Sequence, residues 1–171
     1  MEFFDVLSQR HSIRAYHTTP VEPEKLEQIL QAINRAPSAG NRQDFEVYLV
    51  QDAPRQAKLV EAAHGQEFLA QAPLVLVFCA HPALSQVRYG VRGETLYTIQ
   101  DAAIACTYAM LAATALGLSS VWVGAFDEDS VHAVIAAPDD QRPIAMLPIG
   151  YAAEEPRLRD RRPLDQIIHR M

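Results

Sequence analysis

Two arginines four positions apart, Arg10 and Arg14, bracket a serine in the segment RHSIRAY at residues 10–16. On a free helix surface, like charges at that spacing repel by roughly a few tenths of a kcal/mol. The segment therefore points to an anion that gathers Arg10, Ser12 and Arg14 in one place. Guanidinium forks and serine hydroxyls donate directed hydrogen bonds, a donor set that suits a phosphate monoester. A second basic cluster, Arg157, Arg159, Arg161 and Arg162, stands in RLRDRRPLDQI near the end of the chain. Between the two lies APSAGNRQ at 36–43, a turn-forming loop rich in donors that would suit the edge of a planar polar ring. Each segment alone has a plain structural reading: a helix terminus, a helix-breaking loop and a solvated basic tail.

These residues need a scaffold, and the chain is long enough to build one as a single domain over 1–171. Its formal net charge of −6 is wrong for non-specific nucleic-acid binding, which depends on summed positive charge. The local basic clusters survive that acidic total. Cys79 and Cys106 stand far apart in apolar surroundings without CxxC spacing, and read as buried reduced thiols. The N-terminal MEFFDVLSQR carries acidic residues where a signal peptide needs positive charge, so the expected location is the cytoplasm.

EFFDVLSQ reads as one or two turns of helix before the first arginine. In 20–36, Leu26, Ile29, Leu30 and Ile33 recur at helical spacing, with acidic residues early and Pro37 and Gly40 ending the pattern. FEVYLV (45–50) alternates as a strand does, and 53–63 reads as a helix. APLVLVFCA (72–80) is a continuous apolar run, the pattern of a central strand buried on both faces. SSVWVGAF (119–126) and RPIAMLPIGYA (142–152) are further strand candidates. The segment 94–118 has no charge from Ala102 to Leu118, but its apolar content is mostly alanine. It reads as the central helix of a globular core, closed by Gly117, rather than as a membrane span. Gly90 and Gly93 fall in an expected loop before it. Helices alternating with a few long strands give an α/β or α+β sandwich.

Several chemistries lack their motifs. There is no GxGxxG and no GxxxxGK[ST], so neither a conventional Rossmann dinucleotide site nor a P-loop is expected. His11, His17, His64, His81, His132 and His169 never approach a metal-ligand spacing, and no GxSxG elbow supports serine hydrolysis.

The three polar segments in this order resemble the FMN-dependent nitroreductase family, over about residues 2 to 169. RHSIR matches its N-terminal Arg-x-Ser-x-Arg/Lys signature, and APSAGNRQ its (A/S)PSxxNxQPW-like loop. ALGLSSVWVGAF matches its alanine-rich helix and following strand, and PIGY with RRPLDQI its closing strand and basic tail. The resemblance implies an α+β fold, an α/β/α sandwich with a mixed, mainly antiparallel central sheet, assembled as an intertwined homodimer with FMN at the interface. It implies that Arg10 and Ser12 lie at the phosphate and ribityl end, with His11 between them also binding the cofactor, Arg14 at the pyrimidine edge and Arg159 and Arg161 closing on the phosphate from the tail. Pro37, Ser38 and Asn41 would come from the other subunit, the backbone of Val123, Gly124 and Ala125 would lie along the ring near N5, and Gln66 is a weaker candidate for the pyrimidine edge. NADH or NADPH would supply hydride to N5 and a small acceptor, such as a nitroaromatic or quinone, would collect it by a ping-pong route. No protein acid or base is required, so no catalytic residue and no metal ligand is expected. Dehalogenation or flavin fragmentation within the same superfamily, and a flavin-binding protein without turnover, are the competing readings. Two departures stand out: Gln43 is followed by Asp44 and Phe45 rather than by Pro and an aromatic, and only 81–93 is left for the helical excursion that caps the flavin in longer members.

Overall fold

The computed structural model describes residues 1–171. Strand β2 (Leu74–Ala80) is buried along its whole length, as an apolar run without alternation must be. It pairs antiparallel with β1 (Phe45–Val50), from Phe45 opposite Ala80 to Val50 opposite Val75. On its other side lies β4 (Arg142–Gly150), also antiparallel, with a bulge at Phe78/Cys79. The short β3 (Ser119–Ser120) joins β4 to complete the order β1-β2-β4-β3.

Successive side chains of a strand point to opposite faces, and β2 divides its residues that way. Leu74, Leu76 and Phe78 meet Ile29 and Ile33 of α2 (Pro23–Asn34) and Ala105, Ala109 and Ala113 of α6 (Thr98–Ala115). Val75, Val77 and Cys79 meet Leu59 of α3 (Ala53–Ala62), Leu69 of α4 (Phe68–Gln71) and Val131 of α7 (Glu128–Ile135). The result is the expected α/β/α sandwich with an antiparallel sheet in the middle.

The alanines of α6 let it lie close to the sheet, while Ile104, Tyr108, Leu111 and Ala115 on its other side stay partly or largely exposed. Gly117, at φ +76°, ends the helix where the Leu118 N–H turns back to the Ala113 carbonyl at 2.9 Å. No helix is long and apolar enough to cross a membrane.

Three expectations need correction. The strand expected over 119–126 is only two residues long, after which an isolated bridge between Val123 and Met146 carries the pairing. The expected loop around Gly90 and Gly93 is instead part of α5 (Pro82–Arg92), with Gly90 at φ 58° as an internal break, followed by a π-turn over Gly93–Tyr97. The helices α4 and α7 were not expected at all. The short N-terminal helix α1 (Phe3–Gln9) forms where the sequence placed it.

Candidate functional site: a cationic cleft and a separate loop groove

Immediately after α1 the chain becomes extended beside β3. Ser12 bridges Ser120 in parallel, and Tyr16 bridges Ala152. Ile13 and Tyr16 turn into the core at 3% and 5% exposure, and the Tyr16 hydroxyl donates to the Ile13 carbonyl at 2.7 Å. Burial holds the Tyr16 hydroxyl far above the usual phenol range, so it serves as a neutral structural donor. With those two side chains fixed inward, Ser12 and Arg14 are left on the outer side.

There they form a cleft of about 230 Å³ lined by Arg10, His11, Ser12, Arg14, Arg157, Arg159 and Arg161. Arg162 is not among them; it donates to the Gln166 carbonyl. No lining residue is apolar or acidic, and five are guanidinium donors. The nearby acid Glu154 is occupied in accepting the Arg14 backbone N–H. This donor set fits a phosphate ester: charge-assisted forks around a small concave space, with no carboxylate in its lining.

The expected ring-edge backbone divides into a paired and an unpaired part. Val123 is 2% exposed, and both its N–H and its carbonyl pair with Met146 at 2.9 Å. The N–H groups of Gly124 and Ala125 have no acceptor within the chain, so these two amides can meet a ligand. Gln66 donates to the Ala63 and Ala125 carbonyls at 3.1 and 3.0 Å, fixing the position of that stretch.

Pro37 and Ser38 lie elsewhere, on a groove of about 600 Å³ shared with Ala39, Tyr97, Gln100, Asp101, Ala103 and Ile104. Gly40, Asn41 and Gln43 all have positive φ, so the loop reverses sharply around one 3-10 turn. Gly40 also faces Tyr89, whose hydroxyl would lie 2.2 Å from an added Cβ. The Ser38 hydroxyl accepts the Gln43 N–H at 2.9 Å, and the Ala39 N–H reaches the Asp101 carboxylate at 2.9 Å. Asn41 is exposed. Sequence reasoning missed Asp101, which no motif marks.

One chain thus brings Arg10, His11, Ser12, Arg14, Arg159 and Arg161 to one cleft, and Pro37 and Ser38 to another. No group of three or more His, Cys, Asp or Glu side chains is placed to hold a metal ion.

The sequence model of the Nitroreductase family matches residues 7–66 and 52–151. An FMN reductase [NAD(P)H] of Bacillus subtilis is 32% identical over 98% of this chain and 73% of its own length. An NADH dehydrogenase of Thermus thermophilus is 33% identical over 94% of this chain and 91% of its own. Among solved structures, NfrA2 of B. megaterium superposes with a TM-score of 0.92 at 29% identity, over 99% of this chain and 74% of that one. With the family model spanning most of its length and relatives above 30% identity along nearly all of it, the chain belongs to the nitroreductase family.

Proposed function

We propose that this protein is an FMN-dependent oxidoreductase that carries hydride from NADH or NADPH to a small acceptor such as a nitroaromatic or a quinone. The observation that carries this reading is the cleft of arginines and Ser12 with no acid in its lining. Its support from outside the chain is a relative named as an FMN reductase [NAD(P)H].

Arg10, His11, Ser12, Arg159 and Arg161 would hold the phosphate of FMN, and Arg14 would face the pyrimidine edge of its ring. The Gly124 and Ala125 amides would donate along the ring, and a fixed cation at Arg14 would favour the negative charge of the reduced ring. Bound there, FMN supplies hydride transfer from the nicotinamide and then to the acceptor, each using the same face in turn. The burial of Ile13 and Tyr16 fixes the donors before the ligand arrives, which lowers the ordering cost of binding.

The site is shared between two copies of the chain in this reading. A single chain leaves the loop groove apart from the cationic cleft, and a two-fold dimer can set one against the other. It also leaves apolar side chains in water that a second copy would cover. Phe4 is 79% exposed, Leu158 78% and Leu164 77%, and Tyr108 adds a partly bare face on α6. The enzyme would work in the cytoplasm, with Cys79 and Cys106 as free thiols.

Purified protein should be yellow and release about one FMN per chain, identified by chromatography after denaturation. Colourless protein that takes up no added FMN would overturn the proposal.

A further inference from the structure

Trp122 is the chain's single tryptophan, and 36% of it is exposed. Val121 and Val123 on either side are buried, so by strand alternation the indole and Gly124 face the other way. The indole lies along the chain toward Gly124: a Cβ added there would stand 3.2 Å from its Nε1 and 3.6 Å from its Cδ1. Gly124 does not have the positive φ that would by itself call for glycine. The indole, lying where a side chain at 124 would start, is what calls for it.

Val123 spends both of its backbone groups on Met146 of β4. In an antiparallel pair the groups of the next residue turn away from the partner strand, so the Gly124 N–H points to the outer edge. The Ser120 carbonyl accepts the Ile13 N–H at that same edge, which is therefore the one the arginine segment runs along. Like the Gly124 and Ala125 amides, the indole N–H has no acceptor within the chain. An exposed tryptophan alone is ordinary. Here a rigid planar ring carries a third unpaired N–H to an edge that already holds two, beside the cationic cleft. An indole N–H only donates, so it adds to that set without offering a competing acceptor.

We propose that the Trp122 indole belongs to the ring end of the ligand site, where its N–H joins the Gly124 and Ala125 amides as a third donor to a bound flavin. Gly124 leaves it the room to do so. The inference rests on the proposed function for the identity of the ligand. It extends the site from backbone amides to a side chain that can be exchanged.

Protein isotope-labelled at its tryptophan nitrogen gives one indole N–H resonance, which needs no assignment. The resonance is compared between flavin-free protein and protein loaded with FMN, with the visible flavin band showing that loading occurred. FMN should move the resonance and slow its exchange with water, and riboflavin should do the same, because the contact is to the ring. Trp122→Phe keeps an aromatic ring and loses the N–H. It should weaken FMN and riboflavin by the same factor, about 2- to 10-fold for one neutral hydrogen bond. Gly124→Ala crowds the indole and should move its resonance even without flavin.

An indole resonance unmoved by bound FMN would overturn the inference and leave the ring in water or against a second copy of the chain. A Trp122→Phe protein that binds both flavins as tightly as wild type would overturn it too. If that variant does not fold, the wild-type resonance decides alone. Protein that takes up no flavin would overturn this inference together with the proposed function, whereas loaded protein with an unmoved resonance would overturn this inference only.

Discussion

Ser12 and Ser120 lie side by side in a parallel bridge, with the Ile13 N–H donating to the Ser120 carbonyl at 3.2 Å. That contact ties the arginine segment to the strand leading into Gly124 and Ala125. The two ends of the proposed flavin site, phosphate donors and ring-edge amides, are thereby held on one sheet edge at a fixed separation.

The buried anchor of this arrangement is Ile13, at 3% exposure. Ile13→Ala should cost about 2–5 kcal/mol of stability, the usual range for truncating a buried isoleucine. It should also weaken FMN binding although it removes no polar group, because Ser12 and Arg14 lose their fixed placement. Urea denaturation and a flavin titration on the same preparation check both effects.

Arg159→Ala combined with Arg161→Ala should weaken FMN far more than riboflavin, because only FMN carries the phosphate. Each lost charge-assisted hydrogen bond is worth roughly 1.5–3 kcal/mol, or about 10- to 150-fold in affinity. Equal weakening of both flavins would mean that the exposed tail is structural and the cleft does not read phosphate.

Burial and then Glu46 push the Cys79 thiol up to about 12, and burial alone raises Cys106. Both should stay protonated and unreactive at neutral pH. A thiol reagent should therefore label neither in the folded protein and both in denaturant, as read by mass spectrometry. Rapid labelling of the native protein would contradict their placement in the core.

The two clefts of one chain should serve different active sites. Arg14→Ala disables the first, and Asn41→Asp sets a negative charge on the loop near the second. Asn41 has φ 54°, a conformation that Asp also tolerates, so the substitution should leave the loop folded. In a mixed dimer one site would collect both lesions and the other neither. Random assortment makes about half the dimers mixed, with half of their sites intact, so about a quarter of wild-type activity should return on co-expression. Proven mixed dimers that regain nothing would show that the site is not shared.

The sequence was legible where one physical signal dominated. β1 shows its alternation and β2 its unbroken apolar run, and both strands lie where those patterns put them. Helix α6 could be read from its alanines and from Gly117. Helix α7 escaped because eight residues make too short a stripe, although Asp127 capping the Ser130 N–H was a signal that could have found it. Residues 119–126 read as a longer strand than they form because Val121 and Val123 are buried, while the pairing that makes a strand continues only at Val123. The gathering of the arginines could be anticipated from their types and order. The contact of the Ala39 N–H with the Asp101 carboxylate could not, since it depends on how the 36–43 loop and α6 meet in space.

The most direct test of the central claim is anaerobic rapid mixing of the purified, flavin-loaded protein with NADH and with NADPH, followed at the visible flavin band. Bleaching within seconds by at least one donor, with colour restored by a nitroaromatic or a quinone, is the expected result. A flavin that stays oxidised with both donors would contradict the assignment of this protein as an oxidoreductase and leave it a flavin-binding protein without turnover.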